Sequence, residues 1–287
     1  MNIAVIGADG QLGSDICEFF KNKGNDVIRL TIRDIDISSE ESVNKIFASF
    51  NNISLVINTA AFHNPPLCEK HPMKAFGVNA LGSLFLAKSC LKKDITLLHF
   101  STDYVFNGRR SEPYIETDFA YPLNVYGNSK LSGEFLINST LSKHYILRIS
   151  GIYGKNLCIE KGYNFVDKML ELSKTKNKIR VVNDEILSPT FTEEIAEQAF
   201  NIINNAAPFG LYHVTAEGSC SWYEFAKEIF KIKKIPVDLE IASPDEFANE
   251  VTRPKYSVLE NRKLNKINLN IMSHWKDGLK KYLDLYR

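Results

Sequence analysis

Residues 2–13 read NIAVIGADGQLG, a short apolar run that leads into three glycines. The run is rich in β-branched residues, which is typical of a strand buried on both faces. The glycines stand at positions 7, 10 and 13, and apolar residues at helical spacing follow from Leu12 to Phe20. Glycines allow a tight turn and a close approach to a pyrophosphate, which then meets the N-terminus of the helix. The stretch therefore predicts a strand, a nucleotide-binding turn and a helix, with a plain tight turn as the alternative.

The same alternation of strand and helix continues along the chain. Strands are predicted over 27–30, 55–57, 96–100, 145–149 and 212–214, and helices over 40–50, 73–91, from 126, 165–173, 191–203 and 222–230. This rhythm predicts βαβ crossovers and hence an α/β fold with a Rossmann-type doubly wound parallel sheet.

The pattern also predicts how the chain divides into domains. Residues 1–154 form the predicted dinucleotide-binding domain, to which about 190–215 return, and residues 155–287 form mainly a smaller C-terminal substrate-binding cap. Within this cap, residues 236–254 show no regular pattern and are predicted to be irregular.

Composition excludes several classes of protein. The 287 residues include 35 basic and 34 acidic side chains, so no overall field attracts nucleic acid or an anionic membrane. No apolar run reaches the ~18 residues of a membrane span, and no secretory signal is recognisable. Five cysteines, at 17, 68, 90, 158 and 220, fit neither a disulfide framework nor the spacing of a zinc site. We expect a cytoplasmic protein with no metal site, no nucleic-acid partner and no membrane partner.

The second strand indicates which dinucleotide binds. An acidic residue usually ends this strand when the cofactor is NAD, because it accepts a hydrogen bond from the ribose. Here residues 31–33 are Thr-Ile-Arg, and Arg33 favours the 2′-phosphate of NADPH, although NADH stays open and Arg33 could be a solvated surface residue. Asp36 and Ile37 are predicted to address the adenine, and the small residues of 58–61 let the dinucleotide cross the strand ends.

Tyr126 and Lys130 lie four residues apart on a predicted helix and therefore share one face. An adjacent ammonium favours the phenolate, so it is predicted to bring the pKa of the phenol nearer to neutrality. Tyr223 and Lys227 have the same spacing, so this second pair shows that spacing alone does not identify a catalytic pair. Location separates the pairs, because the helix of Tyr126 follows the fourth strand and should begin beside the nicotinamide. Tyr223 is predicted to be a packing residue in the cap.

A hydroxyl and a carboxylate, Thr102 and Asp103, directly follow the fourth strand. They are predicted to reach the crevice where the strand order reverses. Thr102, Tyr126 and Lys130 are accordingly the predicted catalytic residues.

Several motifs spread along nearly the whole chain support a resemblance. They are GQLG (10–13), NTAA (58–61), STDYVFNG (101–108), PLNVYG (122–127), PT (189–190), SW (221–222) and RP (253–254). With these motifs the chain resembles the dTDP-4-dehydrorhamnose reductase family of the extended short-chain dehydrogenase/reductase superfamily. The dehydratases of this superfamily carry a glutamate where this chain has Tyr104, which favours reduction over elimination of water.

The resemblance implies roles for individual residues. Tyr126 would protonate the 4-keto oxygen of a nucleotide sugar, Lys130 would hold the ribose, and Thr102 with Asp103 would bond the sugar. The turn and the resemblance together predict these cofactor positions: Gly7, Gly10, Gln11, Leu12, Gly13, Asp36, Ile37, Ala60, Ala61, Phe62, His63, Tyr126 and Lys130. The implied reaction reduces dTDP-4-dehydro-L-rhamnose to dTDP-L-rhamnose for polysaccharide biosynthesis.

The chain departs from the family at the substrate. Gly151 stands where many members carry a tryptophan that packs on the sugar nucleotide, so the predicted pocket is roomier or reshaped. The prolines of residues 64–67 also differ from the usual substrate-lining segment. Two alternatives stay open: another sugar-nucleotide reductase or epimerase, and a non-catalytic subunit resembling the methionine adenosyltransferase β-subunit. A homodimer is compatible with the resemblance, and Asp15 matches a carboxylate that some relatives use at a magnesium-bridged dimer contact.

Overall fold

The computed structural model describes residues 1–156, 162–243, 246 and 251–287. Cys158 and residues 244–245 and 247–250 of the predicted irregular stretch lie outside the described residues. Among the described residues, no helix has both the length and the apolar character that crossing a bilayer requires.

Strands and helices alternate through the first half of the chain and are shorter in the second half. The strands are β1 (Asn2–Ile6), β2 (Asp26–Leu30), β3 (Leu55–Asn58), β4 (Thr96–Thr102), β5 (His144–Ile149), β6 (Ile152–Tyr153), β7 (Lys178–Val181), β8 (Ile186–Leu187), β9 (Thr190–Phe191), β10 (Gly210–His213), β11 (Cys220–Ser221) and β12 (Asp238–Ile241). The helices are α1 (Gln11–Asn22), α2 (Glu40–Ala48), α3 (Pro65–Lys70), α4 (Pro72–Phe76), α5 (Gly82–Lys93), α6 (Val125–Thr140), α7 (Phe165–Thr175), α8 (Thr192–Asn204), α9 (Trp222–Lys233), α10 (Arg262–Lys266) and α11 (Trp275–Tyr286).

Six strands form one parallel sheet in the order β10-β5-β4-β3-β1-β2. The predicted parallel sheet is confirmed. The order reverses between β1 and β3, because β2 lies on one side of β1 and the later strands lie on the other. Ligands of open α/β sheets bind in the crevice outside the carboxyl ends of the strands at such a point.

Helices cover both faces of this sheet. On one face α1 and α8 pack on Ile3 and Val5 of β1, and on the other face α2, α5 and α6 pack against the side that carries Ala4 and Ile6. These four side chains of β1 are each at most 1% exposed. Burial on both faces explains why β1 reads as a continuous apolar run, and each large aliphatic side chain buried here contributes roughly 1.5–3 kcal/mol.

The C-terminal residues build a separate hydrophobic cluster around α7, α9 and α11. Here β12 pairs in parallel with β7, so the prediction that residues 236–254 are wholly irregular is wrong for β12. Leu239 packs against the cluster while Glu240 forms an ion pair with Lys178 at 2.6 Å. A strand of four residues with two acidic side chains carries too weak a pattern to be recognised from sequence alone.

The long helix predicted over 73–91 is interrupted. A π-helical turn, Gly77–Leu81, joins α4 to α5. In this turn the Asn79 amide accepts a hydrogen bond from Phe62 N and donates to Phe62 O, both at 2.9 Å. These bonds tie the helix to the segment after β3. Turns of this kind are frequent at functional sites, and apolar periodicity does not reveal them because the flanking helices keep their own spacing.

Candidate active site

The glycine turn between β1 and α1 is closely packed. Gly7 has φ +78°, and a Cβ there would lie 2.8 Å from Ala60 N. A Cβ on Gly13 would lie 2.1 Å from Gly7 O. Neither position accepts a side chain, because real Cβ contacts are not this short. Gly10 precedes α1 and brings no side chain to cap the first amides of the helix, so these amides face the end of the turn.

This turn fits an anionic group such as a pyrophosphate. The first turn of α1 contains no acidic residue, so the positive end of the helix dipole is not offset locally. Gln11 is 8% exposed, and its Nε2 has no hydrogen-bond partner among the described residues. A buried amide donor without a partner is costly unless a ligand accepts from it. The residues present therefore fit the predicted dinucleotide.

Two arginines, Arg29 and Arg33, lie at the end of β2. Arg33 is exposed, and no acidic side chain ends the strand. Arg29, which was not predicted, donates from Nη2 to Ala8 O in the glycine turn at 2.6 Å. The Asp36 carboxylate accepts from Ser38 N at 2.9 Å and therefore shapes its own loop. Strand alternation could have identified Arg29 as a residue on the α1 side of the sheet.

The residues after β3 lie against the glycine turn. Ala60 contacts Gly7, and Ala60 N donates to the side-chain Oδ1 of Asn58 at 3.1 Å. Phe62 is buried, and the His63 ring lies with Nδ1 3.4 Å from Ala61 O. The predicted cofactor positions of this segment thus follow the ends of β1 and β3 at the switch point.

Tyr126 lies in the first turn of α6. This helix is capped by Asn124, whose Oδ1 accepts from Gly127 N at 2.8 Å. The structure brings Tyr126 beside the side chain of Thr102. The Tyr126 ring also packs edge to face on Tyr104, with centroids 5.8 Å apart. Burial raises the pKa of Tyr126, and the proximity of Thr102 acts in the opposite direction.

Lys130 shares the helix face of Tyr126 but points to β4. Its Nζ donates to Phe100 O at 2.6 Å and lies 3.1 Å from His99 Nε2. Burial lowers the pKa of Lys130 to about 8. The prediction that this ammonium brings the pKa of Tyr126 towards neutrality is wrong for this structure, because burial raises that pKa and Lys130 is not among the groups that lower it.

Asp103 is enclosed by protein hydroxyls. Its Oδ2 accepts from Ser150 at 2.8 Å and from Ser257 at 2.6 Å, and its Oδ1 accepts from Thr102 at 3.1 Å. The residue is 4% exposed, and burial raises the pKa of its carboxyl. This geometry does not fit the prediction that Asp103 bonds the sugar directly, because its oxygens already hold three donors. Asp103 instead orients Thr102, and neither serine was recognised from the sequence.

Gly151 lies beyond the end of β5, at the sheet edge where Ile149 pairs with Thr102. It has φ +52°, in the left-handed region, and a Cβ there would lie 2.5 Å from Leu187 Cδ1. The Leu187 side chain thus occupies the space next to residue 151, so a larger residue at this position would collide with it unless the leucine moved.

The comparison pair, Tyr223 and Lys227, lies elsewhere. Tyr223 packs in the C-terminal cluster, and its hydroxyl donates to Leu239 O at 3.4 Å. Lys227 is exposed and lines a surface groove with Phe230. The predicted packing role of Tyr223 agrees with these contacts.

Asp15 is buried on α1 and accepts a hydrogen bond from the Thr192 hydroxyl. Burial raises the pKa of Asp15 to about 6, and the neighbouring Glu193 and Glu18 act in the same direction. Among the described residues, no three acidic, histidine or cysteine side chains converge in a way that could hold a metal ion.

Known proteins resemble this chain over its whole length. The family model described as the RmlD substrate binding domain matches residues 1–287. The spore coat polysaccharide biosynthesis protein SpsK of Bacillus subtilis is 38% identical, over 98% of this chain and 96% of that protein. A crystal structure of a dTDP-4-dehydrorhamnose reductase from Clostridium acetobutylicum has a TM-score of 0.94 and 38% identity, covering 99% of both chains. That of the Bacillus anthracis reductase in complex with NADP has a TM-score of 0.93 and 33% identity, covering 99% of this chain and 98% of that one. The match along the whole chain and the arrangement of Tyr126, Lys130 and Thr102 at the switch point lead to one assignment: the chain belongs to the dTDP-4-dehydrorhamnose reductase (RmlD) family.

Proposed function

We propose that this protein is an NADPH-dependent oxidoreductase that reduces the 4-keto group of a 6-deoxy nucleotide sugar, with Tyr126 as proton donor. The observation that carries the proposal is that Tyr126 lies beside Thr102 at the end of β4, with its ring packed on Tyr104 at a centroid distance of 5.8 Å. The substrate is dTDP-4-dehydro-L-rhamnose and the product dTDP-L-rhamnose, as the names of several relatives indicate.

The charge around the adenosine end supports NADPH. The Bacillus anthracis relative was crystallised with NADP. In this chain Arg29 lies against the glycine turn, Arg33 is exposed nearby, and no carboxylate ends β2. A ribose 2′-phosphate is attracted to two guanidinium groups, whereas the 2′-hydroxyl of NADH lacks its usual acceptor there.

The protonation states of the site suit reduction. When bound, the nicotinamide supplies a hydride to the carbonyl carbon. Tyr126 has a raised pKa and is therefore a neutral phenol at physiological pH, as a proton donor to the carbonyl oxygen must be. Thr102 donates to Asp103 at 3.1 Å and accepts from Tyr104 N at 3.2 Å, and these two bonds fix its hydroxyl beside Tyr126 at the end of β4. Lys130 lies one helical turn away to hold the ribose.

The sugar end carries the residues that distinguish this chain. We expect residues 155–287 to form mainly the cap that covers the substrate, whereas α8 and β10 within this range pack on or join the central sheet. Leu187 replaces the flat aromatic surface that many relatives offer at the position of Gly151, so apolar contact with the sugar has a different shape. We propose that the enzyme works in the cytoplasm, in polysaccharide biosynthesis, and assembles as a homodimer.

The first experiment follows the loss of NADPH absorbance, with NADH in parallel. The substrate is dTDP-4-keto-L-rhamnose, made in situ by the upstream dehydratase and epimerase. We expect oxidation of NADPH at a higher kcat/KM than that of NADH. Absence of oxidation, with NADPH binding shown separately, would refute the substrate and direct the search to other keto-sugar nucleotides. NADPH binding without turnover of any keto sugar would favour the non-catalytic subunit.

Tyr126→Phe tests the proton donor. The variant should bind NADPH as tightly as the parent enzyme but lose about 10²- to 10⁴-fold in kcat, because only the acid is removed. Cofactor binding is measured by fluorescence titration and turnover by absorbance. Tyr223→Phe is the matched control, since Tyr223 packs away from the switch point, and its kcat should equal that of the parent. Unchanged turnover of Tyr126→Phe would exclude the proposed role.

A further inference from the structure

His99 is a buried histidine on β4 that the proposed reaction does not use. It lies between two other buried polar side chains, Asn58 and Lys130, and all three are at most 2% exposed. The Asn58 amide nitrogen lies 3.0 Å from His99 Nδ1, and Lys130 Nζ lies 3.1 Å from His99 Nε2. Water has little access here, so the three side chains must satisfy one another.

The backbone determines which proton His99 carries. Ala60 N–H is a donor and points at Asn58 Oδ1 at 3.1 Å, which identifies that atom as the oxygen of the amide. The other end of the amide is therefore NH₂, and it donates to His99 Nδ1 at 3.0 Å. A neutral imidazole has one donor nitrogen and one acceptor nitrogen. His99 thus carries its proton on Nε2, the atom that faces Lys130.

This tautomer suits a neutral amine at Lys130. Nζ of Lys130 donates to Phe100 O at 2.6 Å, and its lone pair can accept from His99 Nε2–H. An ammonium has no lone pair, so it would require His99 to carry the proton on Nδ1, against the Asn58 NH₂ group. Two buried donors would then face each other without an acceptor, which is unfavourable in a site that excludes water.

We propose that His99 is a positioning residue that acts through Lys130, because its Nε2–H binds the lone pair of the neutral amine and opposes protonation of Lys130. Burial lowers the pKa of Lys130 to about 8, and the contact with His99 Nε2–H acts in the same direction. The charge on Lys130, the predicted ribose-binding lysine, therefore depends on which nitrogen of His99 carries the proton.

The other charged and titratable groups around Lys130 do not replace this contact. On α6 itself, Glu134 raises the pKa of Lys130, but its carboxylate is held by Arg148 of β5 at 2.6 Å. Tyr126 lies beside Thr102. Asp103, which follows β4, accepts from three hydroxyl donors. Lys130 Nζ meets two groups of β4 directly, the Phe100 carbonyl and His99, and His99 is the titratable one.

Nitrogen NMR of the intact protein tests the tautomer without any turnover. Histidine-selective ¹⁵N labelling at pH 9, above the pKa of Lys130, should show His99 protonated on Nε2 and bare on Nδ1. The His99 signals are assigned by their loss in His99→Phe. A proton on Nδ1, or an imidazolium, would overturn the proposal. This outcome is independent of the proposed function, on which only the kinetic consequence rests.

The pH profile of kcat/KM tests the consequence for Lys130. If the ammonium is the active form, activity falls as pH rises through about 8, the pKa of Lys130. His99→Phe removes the donor, so this alkaline limb should move up by about one pH unit. His99→Gln retains a donor and should restore most of the original midpoint. His213→Phe removes another buried histidine, and its midpoint should not move. An unmoved limb in His99→Phe would contradict the proposal.

Discussion

Replacing Glu134 by glutamine should destabilise the fold strongly, because it leaves a buried guanidinium without its counter-ion. Glu134 accepts from Arg148 Nε at 2.9 Å and from Arg148 Nη2 at 2.6 Å, and it also accepts from the Ser101 hydroxyl. The two charged side chains are 5% and 6% exposed. Arg148 lies over the Phe106 ring at 5.1 Å, and its Nη1 has no partner among the described residues. Within the part of the chain that the structure describes, no second carboxylate forms an ion pair with Arg148 that could replace Glu134.

The expected magnitude follows from this burial. Removing one partner of a buried ion pair costs about 3–5 kcal/mol. For a domain of this size, 1 kcal/mol changes the melting temperature by about 2–4 °C, so Glu134→Gln should melt roughly 10 °C below the parent protein. Thermal unfolding at pH 7 and the urea midpoint measure the loss. Glu171→Gln is the matched control, because Glu171 pairs with Lys174 at the surface, where both side chains are about 70% exposed.

The reasoning also predicts a recovery. A double variant, Glu134→Leu with Arg148→Met, removes both charges and should regain most of the lost stability, because no unpaired ion remains. Two results would refute the account. One is a melting temperature of Glu134→Gln within about 2 °C of the parent protein, and the other is a double variant less stable than Glu134→Gln.

Two further predictions concern α1. Gly13→Ala should weaken NADPH binding at least about tenfold, because its Cβ would lie 2.1 Å from Gly7 O and must displace the turn. Fluorescence titration compares the NADPH affinity of this variant with that of Gly10→Ala, whose Cβ would lie 3.3 Å from Gly7 O. Equal affinities of the two variants would contradict the prediction. Burial raises the pKa of Asp15 to about 6, so the folded chain binds the proton of this carboxyl more tightly than the unfolded chain does. Protonated Asp15 therefore stabilises the folded state at low pH, and this contribution is lost as pH rises from about 4 through 6. Asp15→Asn should therefore be more stable than the parent at pH 7, by up to about 3 kcal/mol in urea unfolding. The difference between the two proteins should vanish at pH 4. A variant less stable than the parent at pH 7 would exclude the raised pKa of Asp15.

Local sequence was sufficient to predict the sheet and the cofactor turn. The apolar run of β1, its glycines and the helical spacing of α1 each act within a few residues, and these short-range signals were confirmed in the parallel sheet. The π-helical turn at Gly77–Leu81 could not be predicted in this way. It rests on hydrogen bonds from Asn79 to the segment after β3, which the sequence around Asn79 does not reveal.

The spacing of Tyr126 and Lys130 placed both side chains on one face of α6, because a helix brings residues four apart together. It could not tell which neighbour each side chain meets. Lys130 turns to His99 and Phe100 on β4, Asp103 is enclosed by Ser150 and Ser257, and Leu187 takes the space beside Gly151. These partners are brought together only by the sheet and the C-terminal segments, and burial among them sets the pKa values. The sequence alone thus determined the fold and the kind of chemistry, whereas tertiary contacts between distant residues decided which partners each site residue meets and in which direction burial shifts its pKa.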